Sequence, residues 1–155
     1  MQFGTDADLT YGEVTFSHFV PILEYADPQP GEVFWDLGCG AGRPLVTAAL
    51  AFPQLKACKG VELLEQLAGL GAQIATRLAT MCSEKQLSCA PVDVVKGDIL
   101  SHDWYDADLI YLSAVCFSEE LVIKVTDLLI TRVKPGTRII SLREMPVRPN
   151  LEPFG

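Results

Sequence analysis

The sequence of 155 residues predicts an α/β fold, a parallel sheet with helices on both faces. Three observations support this. Strand-like and helix-like segments alternate along the chain. The almost continuous apolar run over 108–115 fits a central strand buried on both faces, and an apolar strand that begins at Val33 and ends in the acidic Asp36 opens into a glycine loop. With 49% hydrophobic residues, the chain is long enough for one full-sized core. We therefore predict a single domain over 1–155.

The predicted order is β-α-β-α-β-β-α-β, preceded by a helix-like segment that ends at Tyr25. The helix after the first strand carries Pro44 in its first turn and is followed by Pro53, as is typical of helix starts and stops. The helix after the second strand has leucine, isoleucine and alanine at helical spacing, although Gly69 and Gly71 weaken it. After the first strand, the predicted elements are a helix over 44–52, a strand over 56–63, a helix over 64–82, and strands over 92–95 and 108–115.

The last helix and strand have clear local signals. Ser118 is a good N-cap, and Glu119 and Glu120 in the first turn suit the helix dipole, so we predict a helix that runs to Val133. Lys-Pro-Gly at 134–136 then makes a turn into a fifth strand over 137–143. The prolines after it predict an irregular tail over 145–155.

The glycine loop is the most specific motif of the chain. Asp36 precedes Gly38, Cys39, Gly40 and Gly42 in the pattern D-L-G-x-G-x-G, whereas dinucleotide sites carry G-x-G-x-x-G. Glycines permit positive φ and close approach of a ligand, and the following helix directs free N–H groups at it. The motif resembles that of class I S-adenosylmethionine (SAM) dependent methyltransferases, which implies a Rossmann-like three-layer sandwich and SAM as cofactor. The alternative is a glycine turn without a ligand.

Acidic residues follow three predicted strands, and parallel strands bring such residues to one edge of the sheet. Asp36 ends the first strand, Glu62 ends the second and Asp98 follows the third. Glu62 is the best candidate for the cofactor ribose, while Asp98 and Ile99 would frame adenine. Arg43 has two equal interpretations, a contact with the cofactor carboxylate or a solvated position.

A second set of motifs makes the resemblance more specific. Y-G-E-x-x-F begins at Tyr11 and includes Glu13 and Phe16; it is followed by the glycine loop, G-V-E, G-D and I-Y-L-S-A-V-C-F-x-x-E-L. This series, from Leu9 to Arg143, resembles the catalytic domain of the Dot-type (disruptor of telomeric silencing) histone lysine methyltransferases. The resemblance implies that Tyr11 and Glu13 belong to a lid and helix (9–30) over a SAM-binding core (31–144). The alternative for Tyr11 and Phe16 is a helix-entry cap with core aromatics.

Two departures from the family pattern bear on the chemistry. The family commonly has paired asparagines where this chain has Ser113 and Ala114, and a small polar residue at Val14. The resemblance places 110–117 along the channel for the target lysine. Ser113 is therefore a candidate catalytic residue that replaces one amide in part, or else a serine bonded to backbone within a buried strand. The family also usually has two further strands, so we expect either a cut or a shortened form.

The composition narrows the partners and the compartment. A net charge of −8 argues against direct nucleic acid binding, because phosphate contacts depend on clustered lysine and arginine. An odd number of cysteines without C-x-x-C spacing indicates free thiols in a reducing compartment and no metal site. We find no apolar run of membrane-spanning length and no leader sequence. We therefore expect an intracellular protein, cytoplasmic or nuclear, without a membrane partner. The cysteines are Cys39, Cys58, Cys82, Cys89 and Cys116.

Three functions are compatible with these patterns. The first is methylation of a protein side chain, a lysine amine and possibly a histone lysine, in keeping with the resemblance. The second keeps the cofactor but methylates a small molecule or another protein site. The third is an inactive methyltransferase-like binding module.

Overall fold

The computed structural model describes residues 15–153 and has helices on both faces of a five-stranded sheet. The strand order is β3-β2-β1-β4-β5, and every pairing is parallel. This confirms the predicted α/β class. The elements in chain order are α1 (Phe16–Tyr25), β1 (Val33–Leu37), α2 (Arg43–Ala51), β2 (Ala57–Glu62), α3 (Glu65–Glu84), β3 (Val92–Lys96), β4 (Leu109–Leu112), α4 (Glu119–Arg132) and β5 (Arg138–Ser141).

The two central strands, β1 and β4, are buried along their whole length. Alternate residues enter two separate cores, as the period of two in a strand requires. Phe34 and Tyr111 face the core formed with α1 and α2, where the Phe19 and Tyr111 rings make an edge contact at 4.7 Å. Trp35 and Ile110 face the opposite core, which includes buried residues of α4.

One predicted element is wrong in its length. The apolar run over 108–115 predicts one long strand, but β4 ends at Leu112. The reason is a turn in which Ala114 adopts a positive φ of 53° and its carbonyl accepts a hydrogen bond from the Phe117 N–H at 3.1 Å. Ser113 therefore lies beyond the strand, and not within it.

The connection between β3 and β4 contains no helix. Trp104 fills this side of the sheet instead, fully buried, with its indole N–H donating to the Ile99 carbonyl at 2.8 Å. Within residues 15–153, no helix is long and apolar enough to cross a membrane. The same part of the chain contains no group of three or more metal-ligating side chains.

Candidate functional site

The glycine loop lies at the carboxyl end of β1, at the centre of the sheet, and leads into α2. Gly38, Gly40 and Gly42 have φ angles of 80°, 55° and 84°. Side chains disfavour this left-handed region, so the three glycines are required by the path of the loop. The loop occupies the switch point between β1 and its two neighbours, where open α/β sheets bind ligands.

Glu62, at the end of β2, holds this loop in place. Its Oε2 accepts a hydrogen bond from the Gly40 N–H and its Oε1 accepts one from the Leu64 N–H, each at 2.9 Å. The side chain is 8% exposed. Each carboxylate oxygen has a second lone pair, so Glu62 can still accept from ribose hydroxyls while it orders the loop.

Asp36 is the most unusual group at this edge of the sheet. It is 2% exposed, and its Oδ2 has no hydrogen-bond partner within the described part of the chain. Burial raises the pKa of the Asp36 carboxyl well above its ordinary value, and the negative charge of Glu62 raises it further. A buried carboxylate without a partner is costly, and a positively charged donor from a ligand would remove that cost.

Asp98 and Ile99 occupy the end of β3, but they differ in exposure. Asp98 is exposed, and its Oδ1 accepts from the Leu100 N–H at 2.9 Å. Ile99 is 8% exposed and belongs to the core beneath the sheet. The structure thus places Asp98 at the expected edge, and the contact of the Ile99 side chain with adenine stays a prediction.

Cys39 packs beneath the loop, against β2. A Cβ built on Gly60 would lie 2.6 Å from the Cys39 Sγ and from the Leu45 Cδ1, so the loop and the strand meet too closely for any side chain. Burial raises the pKa of the Cys39 thiol, and Asp36 and Glu62 raise it further. The thiol is therefore protonated at neutral pH and serves packing.

Arg43 is the first residue of α2, and its side chain is exposed at the end of the glycine loop. Both interpretations of Arg43 stay open on this geometry. Tyr11 and Glu13 lie outside the described residues, so their predicted place in a lid stays a prediction.

Sequence reasoning missed Tyr111 as a site residue. It is the register partner of Asp36 across β1 and β4, so the two side chains share one face of the sheet. Burial raises the pKa of the Tyr111 hydroxyl, and the Asp36 charge raises it further. The hydroxyl is buried and, like Asp36 Oδ2, has no hydrogen-bond partner within the described part of the chain. Tyr111 and Asp36 are therefore neighbours on that face. Parallel pairing created this contact, and only the alternation of faces within the apolar run could have indicated it.

Phe117 is a second residue of the site that the sequence indicated only by resemblance. Its ring lies against the first glycine of the loop, with Cζ 3.2 Å from the position that a Cβ on Gly38 would occupy. The connection between β4 and α4 therefore covers the glycine loop from the side opposite α1.

A family model described as "Histone methylation protein DOT1" matches residues 2–151 of this chain. Among curated relatives, an H3 lysine-79 specific histone-lysine N-methyltransferase of Caenorhabditis elegans is 26% identical over 88% of this chain and 15% of its own length. One of Debaryomyces hansenii is 31% identical, over 90% of this chain and 12% of its own length. A protein-lysine N-methyltransferase of Saccharolobus islandicus is 30% identical over 77% of this chain and 67% of its own. The chain thus spans about an eighth of the two histone-specific relatives.

Solved structures share the fold at lower identity. An RNA methyltransferase from Salinibacter ruber, in complex with S-adenosyl-L-homocysteine, has a TM-score of 0.66 at 22% identity and covers 83% of this chain and 76% of its own. YjhP from Escherichia coli has a TM-score of 0.63 at 16% identity, over 88% of this chain and 51% of its own. These likenesses show a Rossmann-like architecture.

Proposed function

Because this chain belongs to the DOT1 histone methylation family, we propose that it binds SAM at the carboxyl ends of β1, β2 and β3 and methylates a lysine amine of a protein. The observation that carries the proposal is the buried Asp36 carboxylate, which lies beside the glycine loop and has an oxygen without a partner. The relatives named above supply the reaction class, and the site supplies the chemistry that fits the cofactor.

The carboxylates of the site match the hydrogen-bond donors of SAM. An ammonium on the methionine portion would satisfy Asp36, since a charge-assisted hydrogen bond offsets the cost of burying the carboxylate. Glu62 keeps lone pairs for the ribose hydroxyls, and the exposed Asp98 carboxylate can accept from the adenine amino group. When bound, SAM supplies a methyl group on a positively charged sulfur.

The remaining task for the protein is to position the acceptor. A neutral amine must be held in line with the methyl group, and such positioning accounts for much of the rate of a displacement. Burial keeps the Cys39 thiol and the Tyr111 hydroxyl protonated, so neither acts as a base at neutral pH. Ser113, directly after β4, is the candidate that orients the amine.

One observation favours a second candidate function. Ser113 and Ala114 stand where the family commonly carries paired asparagines, and Ala114 forms a turn in a left-handed conformation. An acceptor site with one hydroxyl in place of two amides suits acceptors other than histone lysine. A different protein side chain or a small molecule is therefore the alternative substrate, and an inactive SAM-binding module is the third. In each case we propose an intracellular protein.

Calorimetric binding of SAM and S-adenosylhomocysteine tests the cofactor site. We expect micromolar binding by the wild-type chain and a loss of at least about tenfold in Glu62→Gln, because the amide retains the shape but removes the charge. Glu65→Gln is the matched control, since Glu65 is exposed and pairs with Lys96 on the surface of the sheet. No binding by a folded wild-type chain, or equal losses in both variants, would contradict the proposed site.

Transfer of label from SAM to candidate acceptors tests the reaction. Nucleosomes, free histones, a lysate of other proteins and a metabolite fraction separate the alternatives. Methylation of a protein lysine supports the leading proposal, and methylation of metabolites alone supports the second. Full cofactor binding with no transfer to any acceptor supports the binding module.

A further inference from the structure

We infer that Arg143 is a positioning residue for the cofactor site, acting through Phe117; this rests on the proposed function. Arg143 follows β5 by two positions. Its Nη1 donates to the Phe117 carbonyl at 2.6 Å, across 26 positions of sequence. Phe117 in turn contacts the loop at Gly38.

Both backbone polar groups of Phe117 are hydrogen-bonded. Its N–H donates to the Ala114 carbonyl at 3.1 Å, which closes the turn after β4, and its carbonyl accepts from Arg143. Val115 and Cys116, the residues between, are exposed. The half-buried Phe117 ring is the part of this turn that contacts the loop. Its position depends on the two backbone hydrogen bonds of Phe117.

Arg143 is itself ordered by β5. The Ser141 hydroxyl donates to the Arg143 carbonyl at 2.6 Å, and the Arg143 N–H donates back to the Ser141 Oγ at 3.2 Å. The guanidinium is half-buried, and a hydrogen bond from a charged donor is stronger than one from a neutral donor. The end of β5 thus sets the position of Phe117, and Phe117 limits where Gly38 can move.

A contact at a glycine with a φ of 80° has a specific consequence. The ring of Phe117 contacts the loop at Gly38, Glu62 holds it at Gly40, and the Gly38 N–H donates to the Val61 carbonyl at 2.9 Å. Release of Phe117 removes one of these contacts and widens the range of loop conformations before the cofactor binds. Binding then requires the loop to be ordered again, and affinity falls.

Arg148 offers a matched control. It also ties the segment after β5 to another element, since its Nε and Nη2 donate to Asp127 of α4, each at 3.1 Å. Asp127 lies more than two turns into α4, whereas Phe117 precedes its first turn. Arg143→Met and Arg148→Met should therefore lower thermal stability by similar amounts and differ in their effect on the cofactor.

The experiment is calorimetric titration of the full chain with SAM and S-adenosylhomocysteine, together with thermal unfolding. We expect the Kd to rise about tenfold in Arg143→Met, to recover in part in Arg143→Lys, and to stay within about twofold of wild type in Arg148→Met. The same Arg143→Met change in a Phe117→Ala background should have little further effect, because its action passes through the ring.

The outcomes separate this inference from the proposed function. Wild-type affinity in a folded Arg143→Met variant, an equal loss in Arg148→Met, or a full tenfold loss in the Phe117→Ala background would overturn the role of Arg143. Failure of the wild-type chain to bind SAM would overturn the proposed function, and this inference with it. If Arg143→Met does not fold, Arg143→Lys decides the question, measured in the wild-type and in the Phe117→Ala background.

Discussion

The two ends of the sheet use carboxylates in opposite ways. Near the amino-terminal ends of β1, β4 and β5, acidic groups are paired with cations. Asp106 accepts from Lys59 and from the Trp35 indole, each at 2.7 Å, and Asp108 accepts from Lys134 at 2.5 Å and from the Val33 N–H at 2.8 Å. Burial alone would raise the pKa of both carboxyls, but these partners lower it. These carboxylates stabilise the fold.

At the carboxyl ends of the strands the balance is reversed. Asp36 is almost fully buried, its pKa is raised by burial and by Glu62, and no cation in the described part of the chain opposes that shift. Glu62 accepts hydrogen bonds from two backbone N–H groups, those of Gly40 in the glycine loop and of Leu64 before α3. A carboxylate is thus structural where the protein provides a cationic or hydrogen-bonding partner, and it remains available to a ligand where no such partner is provided.

The largest expected effect comes from Asp36→Asn. Loss of the charge should weaken SAM binding about ten- to a hundredfold, because a charge-assisted hydrogen bond contributes about 1.5–3 kcal/mol. The ligand-free protein should behave differently. A raised folded-state pKa means that ionised Asp36 opposes folding, so wild-type stability falls as pH rises above about 4, the unfolded value, towards the raised one.

Calorimetry checks the loss of SAM affinity, and urea unfolding between about pH 4 and 8 checks the pH dependence of stability. The range begins near the ordinary carboxyl pKa of about 4. The Asp36→Asn variant should lose affinity and show a flatter dependence of its free energy of unfolding on pH. A variant that binds SAM normally, or that shows the wild-type pH slope, would mean that Asp36 is a structural acid like those at the other end.

The next largest effect is expected from Gly60→Ala. The new Cβ would lie 2.6 Å from Cys39 and Leu45, and forced overpacking of this kind costs about 1–3 kcal/mol. Gly69→Ala in α3 is the control, since nothing lies within 4 Å of its Cβ position and helix propensity should make it stabilising by up to about 1 kcal/mol. Chemical denaturation compares the two variants. Equal stability would show that the loop is not packed tightly against β2.

A smaller effect is expected from Ser118→Ala, at the start of α4. The Ser118 Oγ accepts from the Leu121 N–H at 3.2 Å, and loss of an N-cap costs about 1 kcal/mol. Ser118→Asp should retain most of the stability, because aspartate caps equally well and suits the helix dipole. Thermal unfolding distinguishes them. A similar loss in both variants would indicate that the serine acts through the adjacent Phe117 turn.

The smallest effect should come from Asp106→Asn, which lies at the paired end of the sheet and is half exposed. Its folded-state pKa is lowered, so its contribution to stability is present above its unfolded pKa of about 4 and is lost as pH falls through the lowered value. The variant should therefore be less stable than wild type at pH 7 and similar at pH 2, with unchanged SAM binding. Thermal unfolding at the two pH values, together with calorimetry, tests this; an equal deficit at both would assign the effect to the neutral hydrogen bond from Trp35.

Much of the architecture was readable because its signals are local. The proline after α2, the Ser118 cap and the Lys-Pro-Gly turn each act within a few residues, and the predicted ends agree with the structure to within two residues at these elements. The end of β4 was misplaced because an apolar run does not record where the backbone turns. Ala114 adopts a left-handed conformation that its residue type does not favour, and the turn around it maintains that conformation.

The sequence by itself determined the strand-end placement of Asp36, Glu62 and Asp98 and the glycine loop, because parallel strands bring their carboxyl ends to one edge whatever the details of packing. Only the tertiary structure decided which carboxylate lacks a partner, that Tyr111 lies beside Asp36, and that Arg143 reaches Phe117 from β5. These are contacts between segments far apart in sequence. They depend on register, burial and side-chain reach, and those quantities are set when the strands pair and the two cores close.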